Sequence, residues 1–235
     1  MTASSIFVVG DDASVRSGVT RLLRSAGYQV EAFATAEEFL DIHPEEKSPA
    51  CLVLDVQMPG SNGLELQERL LRKNSCIGIV FITGHGDIPT TVRAVKNGAI
   101  DFLAKPFDQA DLLGAVALAL AKSSLRLGVQ QELDSIQSRL AELTQREREV
   151  LCLVVTGLLN KQIADRIGTT EKTVKVHRGR VMEKMQVRSL AELVQLSMKI
   201  GISPKVSQRT EPSSHGSQRP IVEANMAAPV QPKRC

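Results

Sequence analysis

The chain has 235 residues, 43% of them hydrophobic, a length that suits one large or two modest domains with buried cores. Its formal net charge of +3 is unevenly spread, because residues 1–120 carry 10 Lys and Arg against 15 Asp and Glu, whereas residues 144–202 carry 11 against 6. This distribution is typical of an acidic domain followed by one that meets a polyanion, although a merely solvated basic face has the same charge.

Segments that would direct the chain to a membrane are not evident. No run of about 18 apolar residues occurs, and Met1–Ser5 lacks a basic stretch followed by an apolar one. The four cysteines form no C-x-x-C pair, and we expect Cys51, Cys76 and Cys152 to be small core residues, with Cys235 the last residue. We therefore expect reduced thiols, a cytoplasmic protein and no cysteine metal site.

The first 120 residues alternate short apolar runs with amphipathic stretches. The apolar runs, each typical of a buried strand, lie at 5–9, 51–54, 78–82 and 101–104. Stretches with helical periodicity lie at 14–26, 36–41, 63–74, 89–97 and 109–122. We predict five strand–helix units that build an α/β fold, a doubly wound five-stranded parallel sheet covered by helices on both faces.

Chemically active side chains stand at the ends of these apolar runs. Asp11, Asp55, Thr83 and Lys105 each follow one, and Phe102 lies within the last. Ligands of parallel α/β sheets bind outside the carboxyl ends of the strands. We therefore expect these side chains to share one site.

A polar helix is predicted between the two halves of the chain, at 123–143. Its apolar residues recur every three or four positions, close to a heptad, and are Leu125, Val129, Leu133, Ile136, Leu140 and Leu143. The pattern suits a connecting helix that lies on one domain, and equally a short parallel dimer seam.

Residues 144–202 are predicted to form four short helices. Thr144 and Glu147 make a capping box for the first, Asn160 opens the second, and Thr169 or Thr170 caps a third that runs from Glu171 to about Met185. The fourth helix, capped by Ser189, contains Leu190, Leu193, Val194 and Leu196. Residues 203–235 are rich in proline and polar residues and are predicted to be disordered.

Three motifs in the first half resemble the receiver domain of response regulators. They are VLDVQMPG at 53–60, FITGHGD at 81–87 and GAIDFLAKPF at 98–107, in the order and spacing of that family. The second half is similar to LuxR-type helix-turn-helix domains through LTQREREVL at 143–151, GLLNKQIA at 157–164 and TVKVHR at 173–178. Together they resemble the FixJ-like subgroup over roughly residues 5–200. This implies a receiver domain at 1–122, a linker helix at 123–143, a helix-turn-helix domain at 144–202 and a tail at 203–235.

The receiver resemblance implies a role for each residue at the strand ends. Asp55 would accept a phosphoryl group, with Lys105 and the Thr83 hydroxyl binding its oxygens, because a carboxylate attacks phosphorus only when the charge of the transferring group is neutralised. Mg²⁺ would be held by Asp11, Asp55 and the backbone carbonyl of Gln57. The resemblance also implies a cis peptide bond between Lys105 and Pro106.

One position departs from the receiver pattern. The family normally carries two adjacent acids after the first strand, and alignment on Val15 and Arg16 places them at Gly10 and Asp11. Asp12 is expected to cap the following helix instead. We therefore expect weakened Mg²⁺ affinity with phosphorylation retained, and the alternative is a receiver that is not phosphorylated.

Further residues carry alternative interpretations. Phe102 occupies the aromatic switch position of the family, or is an ordinary core residue of an edge strand. His85 is expected on a mobile loop after Thr83 rather than in catalysis. A phosphatase of the haloacid-dehalogenase type would need an acid two residues after Asp55, where Gln57 stands, so an enzyme is not expected.

The resemblance makes the helix that begins at Glu171 the recognition helix, which enters the major groove of DNA. The residues expected to contact bases or phosphates, there and at the start of the preceding helix, are Asn160, Lys161, Lys172, Thr173, Lys175, Val176, Arg178 and Arg180. Gly179 stands where a NarL-like alignment has a lysine that contacts DNA. A solvated basic helix is the alternative.

The function implied is that of a cytoplasmic transcription regulator. A sensor histidine kinase would phosphorylate Asp55, and phosphorylation would promote a homodimer that binds double-stranded promoter DNA and engages RNA polymerase. Two alternatives are a DNA-binding protein that works without phosphorylation and a receiver that binds only proteins. The kinase, the operator and the sign of regulation are not predicted.

Overall fold

The computed structural model describes residues 4–42, 48–58, 62–84 and 88–202. The predictions for Met1–Ala3, for the turn at 59–61, for the loop that contains His85 and for the tail at 203–235 lie outside these residues. The chain divides between Gln130 and Gln131 into two compact units, and each unit is described by itself.

The first unit is a five-stranded parallel sheet with the strand order β2-β1-β3-β4-β5. Its strands are β1 (Ser5–Val9), β2 (Gln29–Phe33), β3 (Ala50–Asp55), β4 (Gly78–Thr83) and β5 (Asp101–Ala104). The helices are α1 (Ala13–Ser25), α2 (Ala36–Ile42), α3 (Gly63–Arg72), α4 (Ile88–Lys96) and α5 (Gln109–Ala141). This confirms the predicted doubly wound α/β fold.

Strands β3 and β4, which both lie inside the sheet, are buried along their whole length, which explains why both appear in the sequence as continuous apolar runs. Alternate side chains of the sheet enter two cores. One core lies around Phe7, Phe39 and Phe81, and the other lies around Val8, Val53 and Val80. The sheet therefore presents rigid carboxyl ends of β3 and β4 to the site.

Helix α5 is longer than predicted, because the expected helix at 109–122 and the expected linker helix at 123–143 are one continuous helix. By length and composition alone it could cross a membrane, contrary to the expectation that no such segment occurs. The core helix of a soluble protein satisfies the same criterion, and Leu112, Val116 and Ala119 are buried in the core of the first unit.

The second unit contains the end of α5 and the helices α6 (Gln145–Val155), α7 (Asn160–Ile167), α8 (Glu171–Lys184) and α9 (Leu190–Lys199). Local sequence signals define their ends as predicted. Thr144 and Glu147 form the reciprocal capping box of α6, and Thr170, one of the two residues considered, caps α8. This small helical domain follows the α/β unit and the long helix, as the predicted fold class requires.

The apolar seam predicted at 123–143 is divided. Ile136, Leu140 and Leu143 pack in the core of the second unit, so this end of the seam serves its own chain. Leu125 and Val129 are 72% and 59% exposed. Leu133 is half-buried and lies outside that core. A dimer seam remains a prediction for Leu125, Val129 and Leu133.

The prediction of small core cysteines is confirmed at Cys51 and wrong at Cys152, while Cys76 lies between the two. Cys51 is buried, and its burial raises the pKa of the thiol to about 12. Cys76 is half-buried, whereas Cys152 is exposed on α6 rather than a core residue. The error arose because Cys152 neighbours the buried Leu151, while helical geometry turns adjacent residues to different faces.

Candidate functional site

The parallel sheet gathers the predicted residues at one edge, because all five strands run in the same direction. Asp55 is the last residue of β3, Thr83 is the last residue of β4, and Lys105 directly follows β5. Asp55 pairs with Ile82, and Thr83 with Ala104, in adjacent ladders. Three residues that are far apart in sequence therefore stand on neighbouring strands.

The Asp55 carboxylate is buried and accepts hydrogen bonds from two donors. The Lys105 ammonium contacts Oδ2, and the Gln57 backbone N–H donates to Oδ1 at 3.2 Å. The side chain of Asp55 is only 6% exposed, so the ion pair is largely removed from water. The backbone N–H of Lys105 donates to the Thr83 carbonyl at 2.7 Å, and the peptide bond between Lys105 and Pro106 is cis, as the resemblance implied.

An open cavity of about 480 Å³ lies beside this pair and is lined by Asp11, Val56, Gln57, Met58 and Asn62. Its oxygen donors suit Mg²⁺, which prefers oxygen ligands and retains several waters. In the described part of the chain, no three His, Cys, Asp or Glu side chains are grouped as metal ligands. A bound Mg²⁺ would therefore depend on two carboxylates, a backbone carbonyl and water.

Gly10 leaves space beside Asp55. A Cβ atom at position 10 would lie 3.4 Å from the Asp55 Cβ and 3.9 Å from Oδ2, which is ordinary van der Waals contact. A side chain here would therefore stand next to the Asp55 carboxylate. The glycine removes a carboxylate from the place where the receiver pattern has one.

Arg16 is a residue of this site that the sequence did not reveal as functional. Its guanidinium donates from Nη1 to the Gly10 carbonyl at 2.6 Å and to the Asp11 carbonyl at 3.1 Å. Asp12 caps α1 as predicted, accepting from the N–H groups of Ser14 and Val15, and these hydrogen bonds lower the pKa of its carboxyl group. The signal for Arg16 was its place in the first turn of a helix that begins beside Asp11.

The two predicted switch residues lie on adjacent strands. Thr83 is fully buried at the end of β4. Phe102 on β5 is half-buried and packs against the core, with its ring centroid 6.0 Å from that of Phe81. Both the switch interpretation and the core interpretation of Phe102 are compatible with this position.

Gln67 was missed entirely and connects α3 to α4. The side chain is fully buried, and its Nε2 donates to the carbonyls of Ala94 at 3.0 Å and Asn97 at 3.2 Å. The Ala94 carbonyl lies in the last turn of α4 and the Asn97 carbonyl directly after it, where backbone acceptors lack helical partners. Oε1 is buried and has no hydrogen-bond partner among the residues that the structure describes. A polar residue in an amphipathic helix gave no sequence signal for this contact.

The second unit presents α8 with one buried and one exposed face. Val174, Val181 and Met185 are buried, as their spacing predicted. The exposed residues of the predicted DNA-contacting set are Lys161, Lys172, Lys175, Val176 and Arg180. Val176 is an apolar side chain that is 49% exposed on an otherwise charged surface.

Two predicted contact residues already bind each other. Arg178 is half-buried, and its Nη1 donates to Oδ1 of Asn160 at 3.2 Å. The Arg178 guanidinium therefore lies beside the start of α7. A DNA-contacting face shared by Arg178 and Lys175, which are three residues apart on α8, stays a prediction. Thr173 contributes to the cap of α8, since its hydroxyl lies 2.8 Å from that of Thr170.

Comparison with known proteins relates both units to described families. Residues 6–117 match the response regulator receiver domain, and residues 141–197 match the bacterial regulatory proteins of the luxR family. The chain is 47% identical over 210 residues to nodulation protein W of Bradyrhizobium diazoefficiens, covering 89% of this chain and 92% of that protein. It is 41% identical over 200 residues to the transcriptional regulatory protein FixJ of Azorhizobium caulinodans, covering 85% and 94%.

Solved structures of response regulators are also similar to this chain. The response regulator StyR matches with a TM-score of 0.74 and 50% identity over 84% of this chain and all of that chain. Full-length FixJ from B. japonicum matches with a TM-score of 0.51 and 40% identity, covering 85% and 98%.

Proposed function

The chain belongs to the response regulators that join a receiver domain to a LuxR-type DNA-binding domain, and from this premise we propose that Asp55 is the residue a sensor histidine kinase phosphorylates. The protein is a DNA-binding transcription regulator of a two-component system, and its family consists of transcription factors rather than enzymes. A cytoplasmic location suits this function. The kinase partner follows from the receiver domain, and the DNA partner from the helix-turn-helix domain.

The contact between Lys105 and Asp55 carries the proposal. An oxygen of the Asp55 carboxylate attacks the phosphorus of a phosphohistidine, the P–O bond forms as the P–N bond breaks, and the electron pair leaves with the imidazole nitrogen of the kinase. Lys105 then binds an oxygen of the new phosphoryl group, and the Thr83 hydroxyl binds another. Asp11, Asp55 and the Gln57 carbonyl would hold Mg²⁺, which would supply positive charge for a group that carries up to about two negative charges.

Recruitment of Thr83 is the step that transmits phosphorylation. Thr83 lies at the end of a fully buried strand, so movement of its side chain changes the packing beside Phe102 on β5. The surface between residues 85 and 107 then changes from a monomeric or masking state to one that supports a homodimer. To shift such an equilibrium from about 1% to 99% active requires about 5.5 kcal/mol of differential stabilisation.

The dimer presents two copies of α8 to a two-fold site in double-stranded promoter DNA. Lys172, Lys175 and Val176 face the bases, and Arg180 and Lys161 face phosphates. Arg178, held by Asn160, contacts the DNA backbone beside the start of α7. RNA polymerase is the further partner at an activated promoter.

Dimerisation measured by light scattering, with and without beryllofluoride and Mg²⁺, tests the proposal. We expect the native chain to change from monomer to dimer and Asp55→Ala to remain unchanged. The same preparations are then titrated with promoter DNA. A constant oligomer that binds DNA equally well in all conditions would instead support regulation without phosphorylation. No DNA affinity even at low salt would support a receiver that binds only proteins.

A further inference from the structure

Gly179 lies inside α8 without a structural reason in the free protein. It is an exposed residue of a continuous helix, where glycine is less favourable than alanine. Apart from its chain neighbours and the backbone of its own helical turns, no atom of the described residues would lie within 4 Å of a Cβ atom added there. The folded chain therefore has room for a side chain at this position.

At other positions, close packing of the backbone explains why the residue is glycine. A Cβ atom at Gly63 would lie 2.3 Å from the Asp55 carbonyl oxygen, and one at Gly78 would lie 2.5 Å from the Ala119 carbonyl oxygen. Backbone packing requires glycine at both positions. Within 4–42, 48–58, 62–84 and 88–202 no such neighbour stands beside Gly179, so we look for the requirement for glycine in a bound partner.

Open space alone does not mark a contact, because Gly18 and Gly114 are also helical and unobstructed. Gly179 differs in the face on which it lies. Lys172 and Val176 precede it by seven and three residues, so the three form one exposed stripe along α8. The buried Val174 and Val181 lie on the opposite side of the helix.

We propose that Gly179 is the position at which DNA approaches the backbone of α8 most closely. The inference rests on the proposed placement of α8 in the major groove. Without a side chain at 179, the helix surface beside Val176 can approach the base edges, and this brings Lys175 and Val176 to their contacts. Glycine permits a close approach of another molecule to the backbone that any Cβ atom would prevent. Gly179 is therefore a specificity-determining residue, and not merely a position that lacks the DNA-contacting lysine of a NarL-like alignment.

Paired substitutions separate this role from a structural one. Gly179→Ala and the control Gly114→Ala should both raise the denaturation midpoint of the full-length chain, because alanine favours the helix. DNA duplexes enriched by the native chain from a randomised pool serve as the probe, with beryllofluoride and Mg²⁺ present. We expect Gly179→Ala to bind them at least about fivefold more weakly, as an overpacked contact does. Gly114→Ala should bind as the native chain does.

Gly179→Lys distinguishes a close approach of DNA to the helix backbone from an unfilled space between the helix and the DNA. At a vacant position, an added lysine would strengthen binding and steepen the salt dependence by about one phosphate contact. At a close approach, the lysine weakens binding to the enriched duplexes despite its charge. Unchanged binding by Gly179→Ala, or stronger binding by Gly179→Lys, would overturn the inference. Absence of DNA binding by the native chain would overturn the proposed function itself, so the two failures are distinct.

Discussion

The ammonium group of Lys105 contacts Oδ2 of Asp55, although 50 residues separate the two in the sequence. The contact places a cation on the carboxylate that we propose as phosphoryl acceptor. The same carboxylate is a proposed ligand of Mg²⁺, so lysine and metal compete for its negative charge while both favour its phosphorylated form. This double relationship leads to the first prediction.

Lys105→Met is expected to raise Mg²⁺ affinity and to reduce phosphorylation. Removal of the ammonium leaves the Asp55 carboxylate without its cation, and we expect Mg²⁺ to bind roughly tenfold more tightly, equivalent to about 1.4 kcal/mol. The phosphoryl group would lose a binding partner, so the phosphorylated fraction falls. Calorimetric titration and phosphate incorporation measure the two effects. The control is Lys122→Met at an exposed position. If it changed Mg²⁺ affinity and phosphorylation as Lys105→Met does, competition between Lys105 and Mg²⁺ for Asp55 would be refuted.

Gly10→Asp is expected to strengthen metal binding. The space beside Asp55 accepts a side chain, and a third carboxylate would raise Mg²⁺ affinity by roughly tenfold through its charge. Without metal the adjacent like charges should lower stability, and Mg²⁺ should restore it. Gly18→Asp adds the same charge at an unobstructed position on α1. Equal Mg²⁺ affinity in the native chain and the Gly10→Asp variant would show that glycine does not weaken the site.

Gln67→Met is expected to loosen the end of α4. The substitution keeps the volume but leaves the carbonyls of Ala94 and Asn97 without their side-chain donor. It also removes a buried acceptor that lacks a partner in the described part of the chain. We expect a loss of about 1–2 kcal/mol in the free energy of unfolding. Amide hydrogen exchange of Ala99, which shares the Ala94 carbonyl, should accelerate.

Glu68→Gln is the comparison for Gln67→Met. It removes the ion pair that Glu68 forms with Arg93 at 2.6 Å, a pair that is solvent-exposed on the arginine side. Exposed ion pairs contribute about 0–1 kcal/mol. A larger loss for Glu68→Gln than for Gln67→Met would contradict the buried amide as the main connection between α3 and α4.

The stability of the second unit should fall at acid pH through Glu147. Lys184 donates to Oε2 of this buried carboxylate at 2.7 Å, and together with the Thr144 backbone hydrogen bond it lowers the pKa of Glu147 from 4.5 to about 2. Because the pKa is depressed in the folded state, the stabilisation is complete above pH 4.5 and is lost as the pH falls to about 2.

We expect this loss to be about 1–2 kcal/mol, less than the full pKa change implies, because the Lys184 side chain is 32% exposed and solvent screens the pair. Thermal unfolding between pH 6 and pH 2 measures it. Glu147→Gln should be less stable at neutral pH and should show a flatter acid limb. An acid limb that keeps its slope in Glu147→Gln would assign the effect to other carboxyl groups.

Local signals in the sequence account for much of the fold. Continuous apolar runs predicted β3 and β4 because strands buried on both faces lack polar alternation. The capping box of Thr144 and Glu147 predicted the start of α6 because both partners lie within one turn. The continuity of α5 was not predicted, since a change from apolar to polar composition indicated a boundary where the backbone has none.

The proposed site was predicted as a set of residues but not as a geometry. Asp55, Thr83 and Lys105 follow apolar runs, and a parallel sheet must bring the ends of its strands to one edge. The hydrogen bonds from the Arg16 guanidinium to the carbonyls of Gly10 and Asp11 could not be predicted from any comparable rule.

The sequence by itself determined the family, the parallel sheet, the helix caps and the identity of the residues at the strand ends, because each depends on neighbours or on a fixed order along the chain. Only the tertiary structure decided which distant groups meet. Gln67 reaches the end of α4, Arg178 turns towards Asn160, and Lys184 neutralises Glu147. These contacts depend on how elements pack. The local sequence around a residue does not indicate which backbone atom or charge of another helix will lie opposite it.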